Sequence, residues 1–280
     1  MERAPSWLEE CSFGAFHYGY AACRDCSSLF VDPLPDEAFI AKLYTPEYLD
    51  RHYGDGDASA EIGRELHDTA RAAARARPGG KLLDVGCGAG GFLGAAHDAG
   101  LRAEGHELLP PVAQATAAAT GLTVYSGALA EISERYDLVH LADVVEHVAH
   151  PLEILVKSRR LLAPDGLLIA RGPLEQQANL FQLAVRWQRI VKKRLGRARA
   201  IEMPPWHISQ FTRRGWHALV SRAGLRVVEE RLYETRWPAP DAVSLRPSSL
   251  LKLASTRVSA STVGRGFNLG NRIVSWLAAA

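Results

Sequence analysis

The sequence predicts an α/β fold in which a mostly parallel β-sheet carries helices on both faces. From Lys81 onward, apolar runs of about five residues alternate with helical stretches of about ten, which is the pattern of repeated β-α-β units. The first apolar run ends in a glycine-rich loop that opens a helical stretch. Together these observations indicate a sheet that binds a ligand at the carboxyl ends of its strands.

The predicted elements follow one another without an internal repeat. Residues 1–60 are rich in aromatic residues and turn formers, and predict short strands followed by a helix near 36–44. An alanine-rich helix over 61–77 ends at Pro78-Gly79-Gly80, because proline and glycine terminate helices. Core strands are then predicted at LLDVG, RAEGHE, LTVYSG, YDLVHLA and GLLIARG, with helices over 90–99, 110–119 and 151–162. A helix within 207–228, the strand LRVVEE and a short amphipathic helix over 268–277 complete the prediction.

Composition excludes several classes of protein. The 280 residues are 47% hydrophobic and 23% charged, as in ordinary globular domains. No apolar run reaches the roughly 18 residues of a membrane-spanning helix. The amino-terminal residues are acidic, whereas a secretory signal would be basic and then apolar. We therefore expect a cytoplasmic protein with reduced cysteines.

Charge is unevenly distributed along the chain. The formal net charge is only +2, yet residues 186–280 hold 18 basic and 5 acidic side chains. Seven of these basic residues lie in RWQRIVKKRLGRAR at 186–199. An anionic acceptor, a membrane surface contacted by the basic tail, or an ordinary solvated surface would each explain the excess. Nucleic acid is not expected, because Trp187 is the only aromatic residue in the stretch.

The glycine-rich loop is the strongest motif. It reads LLDVGCGAGGF over 82–92, where glycines let the backbone approach a ligand and the next helix offers free N–H groups. The loop also fits the dinucleotide pattern G-x-G-x-x-G, which alone is weak. Asp84 places a carboxylate where a dehydrogenase usually has an apolar residue, and would favour a cationic ligand. Glu107 closes the second strand, where a carboxylate can accept hydrogen bonds from both hydroxyls of a ribose.

With these residues the chain resembles the class I S-adenosylmethionine-dependent methyltransferases. LLDVGCGAGGF is similar to their first motif, YDLVHLADVVEHVAHP to their fourth, and LLAPDGLLIARGP to their late turn and strand. The resemblance implies a Rossmann-like seven-stranded mostly parallel sheet with a small N-terminal cap and a C-terminal insertion. It also implies donor contacts from Asp84, Gly86, Cys87, Gly88, Gly90, Glu107, Leu108, Ala128 and Asp143. The acidic residue that the family usually has near Ala128, beside the adenine, is missing here.

A second motif, Asp143-Val-Val-Glu146-His147, follows the strand YDLVHLA. On a helix, residues three and four positions apart share a face, so these three side chains are expected to converge. His207 precedes the last predicted helix. The arrangement resembles the ubiquinone-type O-methyltransferases and the small-RNA 2′-O-methyltransferases, in which such a helix and a later histidine hold a divalent cation.

Three interpretations of this motif remain open. Asp143, Glu146, His147 and His207 could hold Mg²⁺, which would bind acceptor hydroxyls and lower their pKa. Without a metal, His147 or His207 could act as general base, with the two carboxylates beside them. Alternatively, Glu146 and His147 merely cap and pack a helix.

The N-terminal segment resembles the zinc ribbon that precedes many bacterial methyltransferases of sugar and secondary metabolism. The second half of that ribbon is present in Cys23, Cys26, Phe30, Asp32, Pro33 and Pro35, while the first half is reduced to Cys11. Three cysteines with His17 could still close a tetrahedral zinc site. Otherwise the segment is a vestige packed by aromatic residues.

We expect methyl transfer from S-adenosylmethionine to a small molecule, at an oxygen of a sugar, a quinone or phenol, or a secondary metabolite. An NAD-dependent oxidoreductase and a non-catalytic S-adenosylmethionine-binding scaffold are the alternatives. The predicted regions are a degenerate zinc-ribbon-like cap with a lid helix over 1–60, a methyltransferase domain over 61–240 with a basic insertion near 174–206, and a basic tail over 241–280. The protein is expected to be a monomer or a homodimer.

Overall fold

A seven-stranded sheet with helices on both faces forms the centre of the protein. The computed structural model describes residues 2–3, 11–43, 57–176, 187, 190–192, 194–195, 201–233 and 270–280. The strands of the central sheet are β5 (Lys81–Val85), β6 (Arg102–Glu107), β7 (Val124–Ser126), β8 (Tyr136–Ala142), β9 (Leu162–Pro173), β12 (Leu225–Tyr233) and β13 (Arg272–Ala279). Their order across the sheet is β12-β13-β9-β8-β5-β6-β7. This confirms the predicted fold class.

Six helices lie in the described part of the chain. They are α1 (Glu37–Leu43), α2 (Asp57–Ala76), α3 (Gly91–Asp98), α4 (Pro110–Thr120), α5 (Pro151–Arg160) and α6 (Arg213–Arg222), with a short 3-10 turn at Leu129–Glu131. None of the described helices is long and apolar enough to cross a membrane.

The inner strands are continuous apolar runs because both of their faces are buried. In β5 every residue after Lys81 is buried, and in β8 five of the six residues from Tyr136 to Leu141 are buried, Asp137 being half-buried. The four pairings among β5 to β9 are parallel, while β13 is antiparallel to both β9 and β12. All five carboxyl ends of the parallel strands therefore lie at one edge.

The predicted helix over 268–277 is wrong, because residues 272–279 form β13. This strand lies between β9 and β12, and Ile273, Val274, Ser275 and Leu277 are buried. Apolar spacing of a short segment fits either a helix face or a buried strand. Here the segment forms a strand because it can make hydrogen bonds with β9 on one side and β12 on the other. The division into cap, domain and tail stays a prediction, but the end of the predicted tail lies within the central sheet.

The predicted helix at 143–147 is also wrong. After β8 ends at Ala142, the chain turns, and Asp143 has a φ of 54°. Such a left-handed residue cannot continue a right-handed helix. The next helix, α5, begins at Pro151.

A second sheet contains the N-terminal cap and two short strands from the middle of the chain. The cap strands are β1 (Glu2–Arg3), β2 (Cys11–Phe13), β3 (Phe16–Ala22) and β4 (Leu29–Asp32). The strands β10 (Ile201–Glu202) and β11 (Ser209–Gln210) pair with β2 and β4 respectively. The cap therefore holds the segment 201–210 from both sides. Most of the predicted basic insertion, and residues 241–269 of the predicted tail, lie outside the described residues.

Candidate active site

The glycine-rich loop connects β5 to α3 at the carboxyl edge of the central sheet. Gly86, Gly88 and Gly90 have φ values of 70°, 50° and 83°, a region that glycine enters without steric cost. The amides of Gly86 and Cys87 both donate to the carbonyl of His106, at 2.8 and 3.0 Å. These bonds tie the loop to the end of β6.

Gly86 also marks the closest approach of the loop to the turn after β8. A Cβ atom on Gly86 would lie 2.6 Å from Cγ2 of Val144, which is closer than any side chain tolerates. The glycine loop and the turn that carries Glu146 and His147 are therefore in direct contact.

Glu107 contacts the glycine-rich loop. At the end of β6, its Oε2 accepts the amide of Gly88 at 3.2 Å and its Oε1 accepts the amide of Leu109 at 3.2 Å. The carboxylate thus lies between the glycine loop and the beginning of α4. Leu108, the next residue, is 60% exposed and leaves an apolar surface beside this carboxylate.

Asp84 has an internal partner that the sequence did not indicate. Its Oδ1 lies 2.7 Å from Nδ1 of His140 on the neighbouring strand, and both side chains are buried. The ring of His140 stacks on Phe92 of α3, with 3.5 Å between centroids. Asp84 therefore joins β5 to β8 beneath the loop, and its predicted contact with a bound donor stays a prediction.

Cys87 and Ala128 are both near His106, at the end of β6. Burial, together with Asp84 and Glu107, raises the pKa of the Cys87 thiol, so that Cys87 is a neutral packing group. Ala128 borders a cavity of about 290 Å³ that His106 and Glu134 also line. Glu131 lines the same cavity and supplies a carboxylate three positions after Ala128, where the sequence analysis found none.

Asp143 lies near enough to Glu146 and His147 to interact with their charges, but its carboxylate is paired with two arginines. Arg272 donates to its Oδ1, and Nη2 of Arg171 lies 3.6 Å from its Oδ2. Burial opposes the charge, but the two guanidinium groups outweigh it and lower the pKa of Asp143 to about 2. Asp143 is thus an ion-pair partner of β9 and β13. The motif is a turn and not a helix, and the catalytic and metal-binding roles expected of Asp143 stay predictions.

Glu146, His147 and His207 do come together. One potential ligand atom from each lies within 4.8 Å of the other two, and no other group of three acidic, histidine or cysteine side chains in the described ranges does so. Nε2 of His147 is 3.9 Å from Oε1 of Glu146. The two imidazole rings meet edge to face, with 4.7 Å between centroids.

Both rings are held through their Nδ1 atoms. Nδ1 of His147 donates to the carbonyl of Trp206 at 2.6 Å, and Nδ1 of His207 lies 2.8 Å from Oε1 of Glu175. Trp206 and Glu175 were missed by the sequence analysis. The signal for Glu175 was limited to a carboxylate three residues after the predicted strand GLLIARG, since its contact with His207 joins segments that are distant in sequence.

Burial and charge make the cluster an unusual environment for carboxylates. Glu146 is only 1% exposed, and burial together with the nearby Asp143 raises its pKa to about 8. Burial opposes the charge of His207, but the ion pair with Glu175 outweighs it and raises the pKa to about 9. Oε1 of Glu146 and Oε2 of Glu175 are buried without a hydrogen-bond partner. Such oxygens normally have a partner, so the cluster suits a proton or a cation.

The predicted zinc site does not form in the described residues. Cys11 pairs across the hairpin with Tyr18, while His17 pairs with Ser12, so Cys11 and His17 point to opposite faces. Cys23 follows Tyr18 by five residues, roughly 16 Å along an extended strand at about 3.3 Å per residue. The three cysteines are consequently not brought to one point.

Comparison with known proteins identifies the family. A family model for the methyltransferase domain matches residues 57–230, more than half of the chain. The chain is 38% identical over 113 residues to the ubiquinone biosynthesis O-methyltransferase of Cereibacter sphaeroides, covering 38% of this chain and 45% of that protein. To the enzyme of the same name from Ruegeria pomeroyi it is 32% identical over 162 residues, covering 54% of this chain and 60% of that protein. The chain thus spans about half the length of the curated relatives it matches.

A solved structure supports the same fold. The magnesium protoporphyrin IX methyltransferase from Synechocystis PCC 6803 with bound SAH has a TM-score of 0.55 and 15% identity, over 87% of this chain and 97% of that chain. At this identity the likeness shows the fold alone. Taken with the family match, it places this chain in the methyltransferase domain family, among the class I S-adenosylmethionine-dependent methyltransferases.

Proposed function

We propose that this protein binds S-adenosylmethionine at the glycine loop and transfers its methyl group to an oxygen of a small-molecule acceptor. The observation that carries the proposal is the contact between Gly86 and Val144. It places the expected donor loop directly against the turn that holds Glu146 and His147. The names of the relatives, which are ubiquinone biosynthesis O-methyltransferases, support oxygen as the acceptor atom.

The donor would lie along the carboxyl edge of the sheet. Glu107 is suited to accept hydrogen bonds from the ribose hydroxyls, because its carboxylate already lies between the loop and α4. Gly86, Gly88 and Gly90 have positive φ values that favour glycine, and because glycine has no side chain the loop leaves room for the ligand. Contacts from Asp84, Cys87, Leu108, Ala128 and Asp143 remain predictions.

In the reaction, the bond between the acceptor oxygen and the methyl carbon forms as the bond between that carbon and the sulfonium breaks. The sulfonium is already an activated leaving group, so the protein mainly aligns the two reactants and excludes water. The proton of the acceptor hydroxyl must leave, and His147 is the base beside the loop, because the raised pKa of His207 keeps that ring protonated at neutral pH. Oε1 of Glu146 lies 3.9 Å from Nε2 of His147.

The same residues also fit a divalent cation. Glu146, His147 and His207 would hold it, and the buried Oε1 of Glu146 without a partner is the observation that favours this fit. A bound Mg²⁺ would lower the pKa of an acceptor hydroxyl. Asp143 is not proposed as a ligand, because Arg272 and Arg171 already bind it.

Calorimetry and a methyl-transfer assay test the proposal. We expect wild-type protein to bind S-adenosylmethionine and not NAD, and to transfer radiolabelled methyl groups to a member of a panel of phenols, catechols and sugars. Glu107→Gln should weaken donor binding about tenfold or more, since hydrogen bonds to charged groups contribute about 1.5–3 kcal/mol. Glu153→Gln, on the exposed face of α5, is the matched control.

Each failure has a distinct meaning. Absence of S-adenosylmethionine binding would overturn the proposal, and NAD binding in its place would indicate an oxidoreductase. Donor binding without methyl transfer to any acceptor would indicate a scaffold. If a chelator abolished methyl transfer but not donor binding, the reaction would require the cation. Full activity in the chelator would mean that an imidazole removes the acceptor proton without a cation.

An anionic acceptor, or a membrane surface that presents the acceptor, is part of the same proposal. Trp187, Val191 and Leu195 recur at every fourth position of the basic stretch and are all exposed. Apolar and basic side chains together suit an anionic surface. The predicted contact through residues 241–269 lies outside the described residues, and the state as monomer or homodimer stays a prediction.

A further inference from the structure

The carboxylate of Glu175 is the least expected member of the cluster. It lies two residues after β9 and 32 positions before His207, yet its Oε1 is 2.8 Å from Nδ1 of that histidine. Both side chains are 30% exposed, so that most of the contact is shielded from water. A hydrogen bond of this kind, between a carboxylate and an imidazole, fixes both the orientation of the ring and the position of its proton.

The segment that carries Glu175 is itself held in place on both sides. The amide of Leu174 donates to the carbonyl of Asn271 at 2.7 Å, and the amide of Gln176 donates to the carbonyl of Phe211 at 3.2 Å. Nε2 of Gln176 also donates to Oε1 of Gln210 at 2.6 Å. Glu175 is therefore attached by its neighbours to the chain beside β13 and to the chain beside β11.

The segment that carries His207 is held just as firmly by the cap. The hydroxyl of Tyr18 donates to the carbonyl of Met203 at 3.0 Å, and the amide of Val31 donates to the carbonyl of Ile208 at 3.0 Å. What these contacts leave undetermined is the rotation of the imidazole ring. Two side chains contact this ring: the carboxylate of Glu175 lies at Nδ1, and the ring of His147 packs against it edge to face. The carboxylate is the one of the two that distinguishes Nδ1 from Nε2.

We propose that Glu175 is a positioning residue, which holds the proton of His207 on Nδ1 and thereby directs Nε2 towards Glu146 and His147. The inference rests on the proposed function, because it gives His207 its orientation towards Glu146 and His147, with which it would hold a cation. Glu175 does not touch the reacting atoms. It acts only through the ring of His207.

The test compares Glu175→Ala, Glu175→Gln and Glu153→Ala. Alanine removes the acceptor atom, glutamine keeps an oxygen at the same position, and Glu153 lies exposed on α5 away from the cluster. The first measurement is the ¹⁵N spectrum of the histidine rings, in which His207→Asn identifies the His207 signals. The second is the dissociation constant for Mn²⁺ measured by electron paramagnetic resonance. Calorimetry with S-adenosylmethionine shows that each variant is folded.

In Glu175→Ala we expect the Nδ1–H signal of His207 to be lost and Mn²⁺ binding to weaken about 10–100-fold, the usual effect of removing a group that orients a histidine ligand. Donor binding should stay as in the wild type. Glu175→Gln should restore the Nδ1–H signal and most of the Mn²⁺ affinity, and Glu153→Ala should match the wild type in both.

Unchanged His207 signals in Glu175→Ala would overturn the inference, as would a Glu175→Gln variant that loses the signal as completely as alanine does. The spectrum distinguishes this failure from a failure of the proposed function. If wild-type protein binds no Mn²⁺ and methylates no acceptor, the His207 signals still report whether Glu175 holds the ring.

Discussion

Asp143 is held in an unusual backbone conformation by two arginines. It follows β8 directly, at a φ of 54°, and its amide donates to the carbonyl of Arg171 at 2.9 Å. Its carboxylate faces Arg171 and Arg272, which belong to β9 and β13. The left-handed conformation of a residue with a side chain is costly, and the two ion pairs are the contacts that hold it.

The Asp143→Asn variant tests this role through its pH dependence. The pKa of Asp143 is lowered from 3.8 to about 2, so the ionised carboxylate stabilises the folded protein above pH 4, and this contribution is lost as the pH falls towards 2. We expect the variant to have a lower Tm than the wild type at pH 7, and the difference to shrink between about pH 4 and pH 2. Thermal unfolding at a series of pH values measures it.

Asp165→Asn is the control, because the side chain of Asp165 is exposed. Its Tm should follow the wild type at every pH. A difference between Asp143→Asn and wild type that stayed constant down to pH 2 would contradict the assigned ion pairs.

For single residues, the sequence indicates positions whose partners are local or belong to a motif. Glu107 was predicted from its place at the end of the second strand, and the structure puts its carboxylate against the glycine loop. Glu175 and Trp206 were not predicted, because their bonds to His207 and His147 join segments that are distant in sequence. No local pattern records such a contact.

Turns at the carboxyl edge are the elements that shape the site. Gly86 and Gly121 share a φ of 70°, but a Cβ on Gly86 would lie 2.6 Å from Val144, whereas nothing lies within 4 Å of a Cβ on Gly121. An alanine at Gly121 would therefore lose stability only through the left-handed conformation, whereas an alanine at Gly86 would also clash with Val144.

We expect Gly121→Ala to lower the free energy of unfolding by roughly 1–2 kcal/mol, the cost of the left-handed conformation, and to leave donor binding unchanged. Gly86→Ala should cost more, because it also displaces Val144, and it should reduce both donor binding and methyl transfer. Chemical denaturation and calorimetry measure the two effects. Equal losses of stability and equal donor affinity in both variants would contradict the close contact.

Two elements were predicted with the wrong type, for one reason. The segments 143–147 and 268–277 both have side chains at helical spacing, yet the first is a turn and the second is largely β13. Spacing over so few residues fits more than one structure. The turn at 143–147 is accompanied by the ion pairs of Asp143, and the strand by pairing with β9 and β12. The partners in both cases lie far away along the chain, so the local sequence does not show them.

In the molecule as a whole, β13 connects β9 with β12 in the central sheet and also contacts the candidate active site. It fills the position between β9 and β12, and its first residue, Arg272, reaches Asp143 at the active-site edge. Ser275 in its centre is fully buried and accepts a hydrogen bond from the indole of Trp216 at 2.9 Å. The stability of the sheet and the geometry of the turn after β8 thus depend on the same strand.

Substitutions at Ser275 test that position. Ser275→Ala keeps the strand and leaves only the indole N–H without a partner, which should cost about 1–3 kcal/mol. Ser275→Pro also removes a backbone donor from the centre of a sheet, where proline is not tolerated, and we expect it to prevent cooperative folding. Circular dichroism during urea denaturation compares the two. A proline variant as stable as the alanine variant would contradict a central strand at 272–279.

The succession of core strands along the chain, the glycine loop and the position of Glu107 at the end of the second strand were predictable, because they follow from local periodicity and from short motifs whose residues are close along the chain. That 272–279 is a strand, that Asp143 belongs to an ion pair and that Glu175 contacts His207 is apparent only in the folded protein. Each of these depends on a free strand edge, a charge or a hydrogen-bond acceptor supplied by a distant segment. Such partners meet only when the chain has folded.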